Sequence, residues 1–143
     1  MYRKAWWIMI TVLYGAKGGG MSRDLCELAN NRIKDAKGSV VFIDKDDKHM
    51  YDLDSGIRLI DSSEYDVTGP KMFSGFIAGI AAQDRDLEAI FVSSFMKQVR
   101  HPVVSLEGMF RFFRVFSEKH GVDFIIEINS EDEMPGFLKE FAV

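Results

Sequence analysis

The chain has 143 residues, 47% of them hydrophobic and 28% charged, which suits one soluble globular domain with a single core. A net charge of −4 with no clustered basic surface argues against nucleic acid as a partner, because phosphate neutralisation needs such a cluster. The single cysteine, Cys26, excludes an internal disulfide; its setting reads as the inward side of a helix, an inert thiol suited to a reducing, cytoplasmic location.

The predicted elements begin with an apolar run. Arg3 and Lys4 before Ala5–Leu13 have the outline of a secretory signal, but the run falls short of the roughly 20 residues that span a bilayer. Cleavage near Ala16 would also delete the first strand. Ile8–Tyr14 is therefore read as a strand buried on both faces, with residues 1–7 an extension whose Trp6 and Trp7 want a surface to cover. A helix follows over Ser22–Lys37, with Leu25, Leu28, Ala29, Ile33 and Ala36 at helical spacing and Gly38 as its stop. Ser39–Ile43 is the second strand and ends in Asp44. Ile57–Ile60 is a short third strand after a polar loop.

Gly69 and Pro70 open a second helix, whose stripe is Met72, Phe73, Phe76, Ile77, Ile80 and Ala81. Ala89–Val92 is the next strand. Ser105 caps a third helix, with Leu106, Met109, Phe110, Phe113, Phe116 and His120 on one face. Val122–Ile128 is the last clear strand, and Met134–Phe141 is a short closing helix with Pro135 in its first turn. Alternating strands and helices, with no linker or repeat, predict a three-layer α/β/α fold with a mainly parallel sheet over residues 1–143.

One stretch carries a mechanism. Tyr14–Ser22, YGAKGGGMS, lies between a predicted strand and a predicted helix. Glycines there let backbone N–H groups turn inward, and the helix N-terminus adds partial positive charge, so that a phosphate can be cradled. Against the pattern G-x-x-x-x-G-K-[ST], Gly15 and Gly20 take the glycine positions, Ser22 the hydroxyl position and Met21 the lysine position.

On these residues the chain resembles the P-loop nucleotide hydrolase superfamily, in particular small single-domain bacterial P-loop proteins sometimes labelled motility ATPases. The resemblance implies phosphate binding by Gly15, Lys17, Gly18, Gly19, Gly20, Met21 and Ser22, with ATP or GTP and magnesium as the possible ligand set. It also implies that Val122–Ile128 lies between the glycine-loop strand and Ala89–Val92. Lys17-Gly18-Gly19 is similar to the second lysine signature of relatives that partition chromosomes or place division sites, one residue later than that signature requires. Met21 departs from the family and brings no cation to the outer phosphates. A loop kept for its shape alone is the alternative reading.

The family's second acid is missing as well. Its place is the end of Ala89–Val92, which runs into Ser93-Ser94-Phe95. Asn129 stands where the resembling subgroup senses a terminal phosphate. Asp44, at a strand's carboxyl end, is the candidate surviving acid beside Ser93 and Ser94. Asp46, Asp47, Asp52 and Asp54 read as a solvated loop, their spacing unlike a calcium loop. His49, His101 and His120 are spaced for no metal, and no serine has a local base. No residue is assigned a catalytic role.

The expected function is that of a catalytically degenerate P-loop protein that acts by binding a nucleotide or a protein partner. The alternatives are an ATPase or GTPase completed by a partner subunit and a purely structural interaction protein. Phe112 and Val115, beside Met109 and Phe116, widen the apolar face of the third helix. That face is either a homodimer interface or a surface packed under Trp6 and Trp7.

Overall fold

Five strands and four α-helices alternate along the computed structural model, which describes residues 10–143. The extension at residues 1–7, with both tryptophans, and the first two residues of the predicted first strand lie outside the described residues. The strands are β1 (Ile10–Gly15), β2 (Ser39–Asp44), β3 (Arg58–Asp61), β4 (Leu87–Val92) and β5 (Asp123–Asn129). The helices are α1 (Met21–Asp35), α2 (Pro70–Ala82), α3 (Phe95–Val99) and α4 (Glu107–His120). No helix among the described residues is long and apolar enough to cross a membrane.

The sheet is parallel throughout, in the order β1-β5-β4-β2-β3. β5 thus lies between the glycine-loop strand and β4, as the resemblance implied. Successive strand residues point to opposite faces, so each strand feeds two cores. Val40, Phe42, Ala89, Phe91 and Ile125 pack with Leu25, Cys26 and Ala29 of α1. Val41, Ile43, Ile90, Val92, Phe124 and Ile126 pack on the other face with Phe73 and Ile77 of α2, Phe95 and Val99 of α3, and Phe110 and Phe113 of α4. The three predicted layers are present.

Several boundaries differ from expectation. α1 starts at Met21, and Leu28 is exposed, because only Leu25, Cys26 and Ala29 meet the sheet squarely. α1 ends at Asp35, and Gly38 serves a close approach instead: a Cβ there would lie 1.9 Å from the Asp86 carbonyl oxygen. Ser105 does not cap α4. It sits in a 3₁₀ turn, Val103–Ser105, and its hydroxyl donates to the Pro102 carbonyl at 2.7 Å. His120 is exposed, with its ring 4.5 Å from that of Phe116 on the expected face. α3 was not foreseen; five residues are too few for a periodic signal.

The predicted closing helix is reduced to a 3₁₀ turn, Gly136–Leu138. The chain then runs along the outer edge of β1. Val12 donates its N–H to the Phe141 carbonyl at 2.9 Å, and the Val143 N–H returns to the Val12 carbonyl at 3.2 Å. Pairing here satisfies edge groups that a helix would leave bare. At the opposite end of the sheet from the glycine loop, Arg32 ties Glu88 (3.0 Å) to Asp123 (2.9 Å), so α1 is fastened to β4 and β5.

Candidate functional site

The carboxyl ends of the parallel strands converge where ligands bind in open α/β sheets. β1 delivers the chain to Gly15, paired in register with Asn129 of β5. The glycine loop then turns through Gly18 (φ +91°) and Gly20 (φ +83°), left-handed conformations that favour glycine, directly into α1. No side chain caps the α1 N-terminus. Its amides therefore stay available to an anion instead of being spent on a capping residue.

The loop forms one wall of a cleft of about 1000 Å³. Lys17, Gly18, Gly19, Gly20, Met21 and Ser22 line it, with Ser94, Lys97, Asn129 and His49 across from them. Gly15 lies behind this wall. Met21 folds back over it: its Sδ would be 3.5 Å from a Cβ on that glycine. The thioether therefore packs against the loop's base.

Lys17, Arg23, Lys48 and Lys97 line the cleft together with the acids Glu27, Asp52, Glu127 and Glu131. Lys97, on α3, is held below the ordinary lysine range chiefly by the charge of Lys17, then by Lys45. Crowded ammonium groups of this kind are relieved by an anion between them.

A carboxylate was missed at the base of the cleft. Glu127 of β5 is 2% exposed and lines the cavity. Its Oε2 accepts from the Ser22 hydroxyl at 2.9 Å, and its Oε1 accepts from the Ser93 hydroxyl at 2.8 Å and the Ser94 N–H at 3.2 Å. Register explains the meeting. Glu127 pairs with Leu13, faces the α1 side like Ile125, and so looks up at the first turn of α1. The signal was available in the sequence: a charge inside a strand apolar on both faces is costly and needs a reason. The family's acid position, the end of β4, lies one strand away.

The other expected positions divide. Ser94 and Asn129 face the cleft, with Ser94 in a left-handed conformation (φ +52°). Ser93 is fully buried and engaged by Glu127. Asp44 is also fully buried, behind His49. Its Oδ1 accepts the Lys45 N–H at 2.8 Å, while its Oδ2 has no hydrogen-bond partner and lies 4.0 Å from His49 Nε2. Burial raises its carboxyl above the usual range. His49 turns its Nδ1 to Asp52 at 3.1 Å. Cys26 reaches the cleft wall, but burial first, then the nearby Asp52 and Asp44, pushes its thiol up to about 12, far from a nucleophile.

On α4, Met109 is taken into the core, which corrects its place in the expected interface. Phe112 and Phe116 are half-buried, their rings tilted by 37° at 5.4 Å between centres, and Val115 is exposed.

No family model matches the chain, and no curated protein matches it.

Proposed function

We propose that the chain is a P-loop-like protein that binds a nucleotide, phosphates first, in the cleft beneath the glycine loop. One observation carries the reading: an uncapped helix N-terminus, a loop with two left-handed glycines, and Lys17 and Lys97 all bound the same cavity. Amide donors and two mobile ammonium groups suit a polyphosphate. In this reading Lys97 and Lys17 serve in place of the lysine that Met21 displaces.

A second reading, hydrolysis of ATP or GTP, is favoured by Glu127. The Ser22 hydroxyl and Glu127 carboxylate, 2.9 Å apart on the cavity wall, are hard oxygen donors that fit a magnesium ion. Such an ion would supply charge neutralisation at the phosphates, and Glu127 would hold it or orient a water. The missing acid at Ser93 and Ser94 would then be replaced from the neighbouring strand.

Calorimetric titration with ATP, GTP and their diphosphates, with and without magnesium, tests both. Micromolar binding that Lys97→Gln weakens supports the first reading; magnesium-dependent binding and phosphate release lost in Glu127→Gln support the second. Absence of binding in the native chain, with affinity gained in Met21→Lys, would leave a cradle without a ligand and favour a purely structural role. The half-buried Phe112 and Phe116 with the exposed Val115 are the proposed partner or homodimer surface.

A further inference from the structure

Behind Lys97 lies a second cleft, of about 560 Å³, at the carboxyl ends of β2 and β3. Lys45, Lys97 and Arg100 face it, with Ser63 and Thr68 on the far wall and Asp66 as the one acid. Its size suits a small molecule rather than a peptide or nucleic acid. Lys97 lines both clefts.

The floor is built rather than open. Gln98 is 2% exposed. It accepts from the Ser62 hydroxyl at 2.7 Å and donates through its Nε2 to the Ser93 carbonyl at 2.7 Å. Ser93 in turn donates its hydroxyl to Glu127, which holds Ser22. A buried polar chain thus runs from the second cleft to the glycine loop, Ser62–Gln98–Ser93–Glu127–Ser22. Buried networks so fully satisfied hold their members in one arrangement.

The non-glycine residues with positive φ among those described are Asp66, Ser94 and Arg100. Asp66 and Arg100 line the second cleft and Ser94 lines the first. Asp66 ends the 3₁₀ turn Ser62–Tyr65 and Arg100 ends α3, each in the left-handed conformation common at helix stops.

We propose that the second cleft binds a phosphomonoester, a second ligand distinct from the one under the glycine loop. A phosphate dianion matches two mobile ammonium groups and a guanidinium better than a neutral or cationic ligand would. Lys45 is shared with Asp46 at 2.9 Å, so Lys97 and Arg100 supply the unspent charge. The assignment does not rest on what the first cleft holds.

The test is a ¹⁵N–¹H titration of the full chain with glycerol 2-phosphate, with glycerol as the neutral control. Saturable shifts are expected at Ser63, Thr68, Gly69 and Arg100, with none from glycerol. Arg100→Asn keeps a residue that tolerates left-handed backbone and removes the charge. It should weaken glycerol 2-phosphate binding roughly tenfold. ATP shifts at Gly18, Gly19 and Gly20 should be unchanged in that variant, whereas Lys97→Gln should weaken both ligands. Phosphomonoester shifts confined to the glycine loop, shifts that do not saturate, or affinity unchanged in Arg100→Asn would overturn the second site. ATP shifts in the native chain report on the first cleft separately, so either reading can fail alone.

Discussion

Glu127 holds two hydroxyls and a backbone amide from two segments, and its removal would strand all of them. Glu127→Ala should cost about 2–3 kcal/mol in urea unfolding, since the Ser22 and Ser93 hydroxyls lose their buried acceptor. Glu127→Gln keeps an acceptor for Ser93 and should cost less than half of that. Equal losses in the two variants would show that charge, not hydrogen bonding, holds the cluster.

Asp44 works in the opposite sense. Its carboxyl is raised by burial above the ordinary 3.8, so the folded state disfavours the ionised form. The linkage sign follows: the penalty is absent below 3.8, where both states are protonated, and complete above the raised folded value. Asp44→Asn should therefore melt higher than the native chain at neutral pH, with the difference shrinking as pH falls toward 3.8. A difference that grows on acidification would show that His49, 4.0 Å away, stabilises the ionised carboxyl.

Among the elements, α4 carries a core phenylalanine with three aromatic neighbours. Phe113 is fully buried and meets Phe95, Phe110 and Phe124 at ring separations of 6.0, 5.2 and 4.9 Å. It joins α3, α4 and β5 beneath the sheet. Phe113→Ala should cost about 3–5 kcal/mol in denaturant unfolding. A cost below 1 kcal/mol would mean that Phe112 or Phe116 swings in to fill the space.

The legibility of the elements followed their physics. The strands of four to seven residues and the long helices announced themselves by apolar runs and stripes, and β5 fell where the resemblance put it. The chain end misled, because Met134–Phe141 has helical spacing but forms only short turns before Ala142 bridges to Val12 at the edge of β1. In the site, the glycine loop was readable because its residues are contiguous. Lys97 and Gln98 were not, because they reach the clefts only through a short helix, and Glu127 showed as a charge inside an apolar strand while its partners emerged only from strand register. Asp44 looked accessible from its place at a strand end, and only the packing of His49 over it shows otherwise.

At the scale of the whole molecule, the proposed association surface is narrow among the described residues. Val115 is 61% exposed, and its flanking phenylalanines are partly spent on the core. If two copies meet there, Val115→Glu should shift the sedimentation boundary from dimer to monomer. Identical monomeric boundaries for both proteins would remove the homodimer and leave α4 as core packing.

The placement of β1 has a further consequence for how the protein forms. Among the described residues its one strand neighbour is β5, and its other edge is covered by the segment ending at Val143. Ser22 and Glu127, which join across that boundary, are 105 residues apart in the chain. Closing so long a loop costs entropy that the contacts repay only at the end. β2, β3 and β4 can pair through shorter separations first. On these separations β1, and with it the glycine loop, is expected to dock after β2, β3 and β4 have paired, so that the cleft beside the loop closes late in folding.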